Sequence, residues 1–266
     1  MKQRLIPGIF MVVLWILLLF LAPPFIFWCA LTIGTALALH EFFRMIDKTP
    51  GTGILLLSIL TSLVPVLASA NGRPAEVLVG GYLALLGLIL LTIFFYTRFS
   101  DPLAFFVHSG FAVFYIALCS AFLVLLRFLP AGNIWLLVLT AITAGSDTGA
   151  YYTGRAFGNK KLCPSISPAK TMNGAIGGIL TAVIAATLIG AFLLPEVGSL
   201  QLALTAALLA SVGIAGDLAE SIIKRGTGIK DSGTLLGGHG GLLDRADSLL
   251  LTAPLLYLLL FFGVLQ

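Results

Sequence analysis

Apolar residues in this chain come in long unbroken runs of Leu, Ile, Phe, Val and Ala, parted by short breaks rich in Gly, Pro and charge. The runs lack the period-2 alternation of barrel strands and reach the roughly 20 residues that a helix needs to cross a bilayer core. No water is available there to satisfy free N–H and C=O groups, so such runs become helices. The pattern predicts spans at roughly 5–21, 23–43, 52–70, 75–97, 104–128, 132–156, 172–194, 200–225 and 247–265, with ends good to a few residues. The expected fold class is therefore all-α, an integral membrane protein of about nine transmembrane helices. It is read as one polytopic domain over 1–266, with amino-terminal helices in 1–130 and the helices that carry polar motifs in 131–266. Lys2 and Arg4 precede the first run as they would in a signal peptide, but the run is too long and no small-residue cleavage site follows, so it reads as a retained anchor. Pro23-Pro24 predicts a tight turn that pairs the first two spans as a hairpin.

Composition agrees with the pattern and excludes an ordinary soluble domain: 59% of residues are hydrophobic, 10% are charged and the mean hydropathy is +1.09. Charge adds an orientation. Of the fifteen Lys and Arg residues, nine spans put Lys2, Arg4, Arg44, Lys48, Arg98, Arg155, Lys160, Lys161, Lys170, Lys224, Arg225, Lys230 and Arg245 on one side. Only Arg73 and Arg127 fall on the other. By the positive-inside rule the crowded side is cytoplasmic, which places the amino terminus and the polar motifs there. The sequence pI of about 9.1 does not signal nucleic acid, because the cations sit in short loops without interleaved aromatics. They read as topology determinants and contacts to anionic membrane lipids. Cys29 and Cys119 lie in spans and Cys163 in a loop, without metal spacing, so neither a disulfide nor zinc is expected. His40 and His108, at span ends without acidic or Cys partners, read as interfacial.

Against this background the stretch Ser221–Ser248 stands out. Lys224, Arg225, Lys230, Arg245, Asp231, Asp244 and Asp247 flank a run of glycines and His239. Just before and within it, Asp217, Glu220, Ser221 and Lys224 fall at i, i+3, i+4 and i+7, one face of a helix. Asp244, Asp247, Ser248 and Leu251 repeat the spacing. Should the two helix ends pack side by side, two to four carboxylates converge. Carboxylates beside Lys and Arg suit magnesium and a polyphosphate, since the ion takes one or two carboxylates and completes its shell with water and phosphate oxygens. Glycines at 226–241 let backbone amides approach phosphate, although neither the P-loop nor the dinucleotide fingerprint is present. The competing reading is structural: the carboxylates pair with Lys224, Arg225 and Arg245 to satisfy helix ends.

A second constellation, Ser146–Gly174, follows the sixth span. Ser146 and Asp147 interrupt an apolar helix, and Arg155, Lys160, Lys161 and Lys170 crowd the connection. The segment Pro164–Pro168 predicts a turn able to offer hydroxyls and amides to an anion. Lys160 and Lys161 read as anchors of topology, whereas Lys170 suits either role.

Together these stretches resemble the phosphatidate cytidylyltransferase (CDP-diacylglycerol synthase) family. The family signature is matched by Ser221, Lys224, Arg225, Lys230, Asp231, His239, Gly240, Gly241, Asp244, Arg245 and Asp247, and SDTGAYYTGR and SPAKT resemble its other cytoplasmic motif. Two positions depart: Ala246 replaces a larger apolar residue, and Asn173 stands where the family has Glu, weakening any contact that Glu makes to a metal or base. The resemblance implies that CTP and phosphatidic acid give CDP-diacylglycerol and pyrophosphate, in phospholipid biosynthesis, with a phosphatidate oxygen attacking the α phosphorus. It implies Mg2+, as one ion or two, with Asp217 and Asp244 as first ligands and Asp247 and Glu220 in support. Lys224, Arg225, Lys230 and Arg245 are then expected on phosphates, with Asp147 and Lys170 lining the same basin, and Ser221, Asp231, Gly240 and Gly241 in substrate binding. Phosphatidate is already ionised near neutral pH, so His239 is expected to contact phosphate or order its loop rather than abstract a proton. A helix cap is its alternative. The resemblance also implies a homodimer, and the spacing of Gly174 and Gly178 suits close helix packing. Two rivals stand beside this reading: a CTP-dependent polyprenol or lipid kinase, and an ion-coupled transporter, since intramembrane Asp and Lys also mark ion pathways.

Overall fold

A computed structural model of the chain describes residues 2–46, 51–233 and 240–265. Among these residues helix covers each of the nine apolar ranges: α1 (Lys2–Phe20), α2 (Pro24–Ile46), α3 and α4 (Thr52–Ser62, Val64–Ala68), α5 (Pro74–Phe94), α6 and α7 (Pro102–Ala112, Cys119–Phe128), α8 (Gly132–Phe157), α9 (Met172–Leu193), α10 (Ser199–Gly226) and α11 (Leu243–Phe261). Six of these segments are long and apolar enough to cross a membrane: Pro24–Ile46, Thr52–Asn71, Pro74–Phe94, Pro102–Phe128, Met172–Leu193 and Ser199–Gly226. In α1 the shorter stretch Phe10–Phe20 is apolar. The α8 and α11 helices spend turns on Ser146–Arg155 and Asp244–Ser248, which lowers their hydropathy. The molecule is thus an all-α membrane protein.

Local chemistry sets the breaks. The third run splits because Pro65, in the first turn of α4, has no N–H to continue the ladder from α3. The fifth run stays helical but widens to a π stretch at Val113–Leu118 between α6 and α7. Asp101 caps α6 by accepting from the Ala104 N–H at 2.9 Å. The expected turn at Pro23-Pro24 is present: α1 ends at Phe20, Pro24 opens α2, and Trp15 meets Phe27 with ring centroids 5.9 Å apart. One departure from an all-helical reading lies between α8 and α9. The segment around Pro164–Pro168 is a two-stranded antiparallel hairpin, β1 (Lys161–Cys163) and β2 (Ser167–Thr171), closed by the Met172 N–H to the Lys160 carbonyl at 2.9 Å. Strands this short leave no alternation to read.

The chain divides into two compact units. The first comprises 1–129 with 227–245, the second 130–226 with 246–266. In the first, α2 supplies Phe27, Leu39 and Phe42 and α7 supplies Leu125 and Leu126, all 1% exposed or less. In the second, α8 and α9 cross at very short range on small residues. Gly177 faces Thr153, Gly149 faces Thr181, and a Cβ at Gly178 would stand 2.6 Å from the Ser146 carbonyl oxygen. The Gly174 and Gly178 spacing therefore serves packing within the chain, where close backbone approach brings the van der Waals contact that holds membrane helices together. The opposite face of α9 carries Ile176, Leu180, Ile184 and Leu188, each exposed by 55–59%. Their i, i+4 stripe is the surface lipid would cover.

Candidate active site

The polar side chains of the second unit meet at the α8–hairpin–α9 junction. A cavity of about 430 Å³ is lined there by Ser146, Asp147, Tyr151 and Arg155 of α8, Lys170 and Thr171 of β2, Gly174 of α9 and Asp217 of α10, among others. Local structure explains the convergence. Thr171 closes the hairpin as the N-cap of α9, its hydroxyl accepting from the Gly174 N–H at 3.1 Å. Lys170 thus stands two residues before the first residue of α9, Met172, and its ammonium forms an ion pair with Asp217. On α10, Ser221 donates to Asp217 Oδ1 at 3.4 Å, one turn on.

Gly216 brings a further carboxylate in. A Cβ at Gly216 would lie 2.7 Å from the Asp247 carbonyl oxygen, so α10 and α11 touch backbone to backbone beside Asp217. Asp247 is 8% exposed, its carboxylate takes the Ser248 N–H at 2.6 Å, and it lies within electrostatic range of Asp217, Asp147 and Lys224. The expected facing of the two helix ends is thus seen for Asp217 and Asp247. Among the described residues no group of three or more His, Cys, Asp or Glu is close enough to form a metal cage. A hydrated Mg2+ needs only one or two carboxylates, and Asp217 with Asp247 fits that requirement.

Other candidates are engaged within the protein. Lys224 and Glu220 form an ion pair of 2.7 Å with Glu220 at 1% exposure, and Lys224 also lies within electrostatic range of Asp247. The Arg225 Nε–H donates to the Ile166 carbonyl at 3.3 Å, fastening α10 to the hairpin turn. Asn173 also has a structural partner. Its amide donates to the Phe157 carbonyl at the end of α8 at 2.5 Å, a bond that a Glu carboxylate could not donate. Lys160 and Lys161 are exposed.

In the first unit the signature segment is organised by two carboxylates. Asp244 Oδ2 accepts from the Ser232 N–H (2.9 Å), the Ser232 hydroxyl (3.0 Å) and the Gly241 N–H (2.8 Å). Gly240 has φ +81° with Asp244 Oδ2 2.8 Å from where its Cβ would be, the left-handed conformation that glycine adopts without cost. The Gly241 amide, expected on substrate, is thus given to Asp244. The second carboxylate is Glu41 of α2, which sequence reasoning missed. It is 6% exposed and accepts from Ser232, Leu242 and Leu243. A signal was available: an acidic residue near the carboxyl end of an apolar helix opposes the helix dipole and needs a partner. Lys230, Asp231 and Arg245 are exposed. His239 lies outside the described residues.

Helices built for lipid around a cavity of alternating cations and carboxylates define an integral membrane enzyme of phosphate chemistry. The chain matches the model of the Cytidylyltransferase family over residues 2–262 and belongs to that family. It is 34% identical over 270 residues to the phosphatidate cytidylyltransferase of Bacillus subtilis (strain 168), covering 98% of this chain and 97% of the relative. Over 263 residues it is 33% identical to that of Helicobacter pylori, covering 98% and 92%. Similarity to the uncharacterized protein YnbB of Escherichia coli (strain K12) is higher, 44%, but over 129 residues, 48% of this chain and 43% of the relative. This last match spans less than half the relative's length.

Proposed function

We propose that the protein is a phosphatidate cytidylyltransferase: a phosphatidate oxygen attacks the α phosphorus of CTP, giving CDP-diacylglycerol and releasing pyrophosphate. Family membership supports nucleotidyl transfer, and the full-length similarity to relatives named for this reaction supports the substrates. The single observation that carries the reading into this chain is the α8–α10 cavity, where Lys170, Arg155, Asp147 and Asp217 line one basin. The cations position phosphate oxygens and stabilise the charge that grows on the leaving pyrophosphate. Phosphatidate arrives ionised, so neither a covalent enzyme nucleophile nor a strong base is required.

For Mg2+, Asp217 and Asp247 are the carboxylates of the second unit, and Asp244 keeps a ligand role on its place in the motif. When bound, the ion neutralises phosphate oxygens as a Lewis acid. Lys170, paired with Asp217, is the residue that passes from carboxylate to phosphate when substrate binds. Glu220 and Lys224 hold α10 in place beneath the site. Lys230, Arg245 and Asp231 keep their expected roles at the substrate phosphates on the motif alone. Nine spans, a cytoplasmic site in the bacterial inner membrane and a homodimer complete the proposal, supported respectively by the nine helical ranges, the charge asymmetry and the family resemblance.

Purified protein in detergent, given CTP, Mg2+ and either phosphatidate or a polyprenol, tests the reading. CDP-diacylglycerol with stoichiometric pyrophosphate is expected from phosphatidate. CDP with a lipid phosphate would make it a kinase, and turnover without compartments removes the transporter.

A further inference from the structure

We infer that Glu41 is a positioning residue of the reaction, acting through the signature segment that bears Asp244. The inference rests on the proposed function, because it takes Asp244 as part of the catalytic machinery. Glu41 lies five residues before the end of α2 at Ile46, whereas every signature residue lies at position 221 or beyond. Its carboxylate is buried at 6% exposure, and both oxygens face the same segment. Oε1 accepts from the Leu242 N–H at 3.0 Å, and Oε2 from the Leu243 N–H at 3.0 Å and the Ser232 hydroxyl at 3.2 Å. Leu242 and Leu243 stand at the start of α11, where backbone N–H groups have no intrahelical acceptor. A carboxylate is the natural partner for such donors.

Ser232 makes this more than a cap. Its hydroxyl lies 3.0 Å from Asp244 Oδ2 and 3.2 Å from Glu41 Oε2. One hydroxyl proton is therefore shared between two carboxylate acceptors, donated to one at a time, and the orientation of one constrains the other. Glycine marks the same contact on both limbs: a Cβ at Gly233 would stand 2.5 Å from Glu41 Oε1, and one at Gly241 would stand 2.5 Å from Glu41 Oε2. Both ends of the segment are thus shaped around this side chain. A carboxylate that accepts three hydrogen bonds from one segment, one of them from a hydroxyl shared with Asp244, sets where the Asp244 carboxylate points.

The test is Glu41→Gln in the full-length enzyme, with Ser232→Ala as the milder companion. Gln keeps one acceptor oxygen and turns an NH2 toward a backbone donor, while Ser232→Ala removes only the bridge. For Glu41→Gln, amide hydrogen exchange across 240–245 is expected to quicken by about tenfold or more, and kcat per folded enzyme to fall about 10- to 100-fold. KM for CTP should stay within about twofold while half-saturation by Mg2+ moves upward, as expected when the carboxylate proposed to meet the ion is held less firmly. Ser232→Ala should show the same direction at smaller size. Unchanged exchange at 240–245 would overturn the inference, as would wild-type kcat and Mg2+ dependence in folded Glu41→Gln. If Glu41→Gln fails to fold, Ser232→Ala with unaltered kcat and Mg2+ dependence overturns it alone. Wild-type enzyme that makes no CDP-diacylglycerol sinks the proposed reaction instead, and the exchange measurement still decides whether Glu41 holds the segment.

Discussion

At the scale of single residues, charge meets charge in two ion pairs of the second unit, Lys170 with Asp217 beside the cavity and Lys224 with Glu220 along α10. Lys170 and Asp217 pair where they line the cavity, with side chains 24% and 31% exposed and the Lys170 ammonium itself buried. Asp217→Asn keeps an oxygen that accepts from that ammonium and should leave a folded protein whose CDP-diacylglycerol formation drops about 100-fold or more, followed with labelled CTP. Glu220 and Lys224 are shielded further, at 1% and 13%. With Glu220 at 1% exposure, Glu220→Ala removes the countercharge that Lys224 meets at 2.7 Å and should destabilise the protein by about 3 kcal/mol, read as a fall in melting temperature in detergent. Asn173→Glu trades a donor to the Phe157 carbonyl for an acceptor and should cost about 1 kcal/mol. Lys160→Ala, on an exposed anchor, should change neither stability nor turnover. Sequence spacing brought Asp217, Glu220, Ser221 and Lys224 to one face, but it could not say which of them pair with each other. Spacing fixes direction around a helix, whereas pairing depends on what packs opposite.

At the scale of elements, the helices were legible because apolar run length is matched to a bilayer, and a run of that length has few other fates. The β1–β2 hairpin was not legible, since three- and five-residue strands carry no period. The α8–α9 crossing was half legible: its glycines could be seen, but their partners could not. That crossing makes a sharp test. Gly177→Val places a branched side chain against Thr153 and should destabilise by about 1–3 kcal/mol through overpacking, with cavity activity falling alongside because Ser146, Asp147 and Gly174 line it. Gly110→Ala, where nothing stands within 4 Å of a new Cβ, should leave melting temperature and activity unchanged. Equal effects of the two would mean that α8 and α9 do not depend on close approach.

At the scale of the whole molecule, orientation is the expectation that rests most fully on the sequence. Thirteen cations on one side and two on the other predict that Lys160 faces the cytoplasm and Arg73 the outside. In a chain with Cys29, Cys119 and Cys163 replaced, a cysteine at 73 should react with an impermeant maleimide in intact cells. One at 160 should react only after permeabilisation. Reversed labelling would invert the topology and move the site to the face without nucleotides. Glu41 was hidden at this scale for a simple reason: its partners lie 191 to 202 positions away, a distance over which one sequence carries no pairing signal.

That distance also has a meaning in time. A ribosome adding about 5–20 residues per second needs about 10–40 s to pass from Glu41 to Leu243. Throughout that interval α2 exists with its carboxylate but without the amides that will receive it. The first unit is therefore completed late, when most of the chain has been made. A nascent chain stalled before residue 232 carries a membrane helix with an unmet acid, the kind of mark by which a quality-control protease could tell an unfinished copy from a finished one.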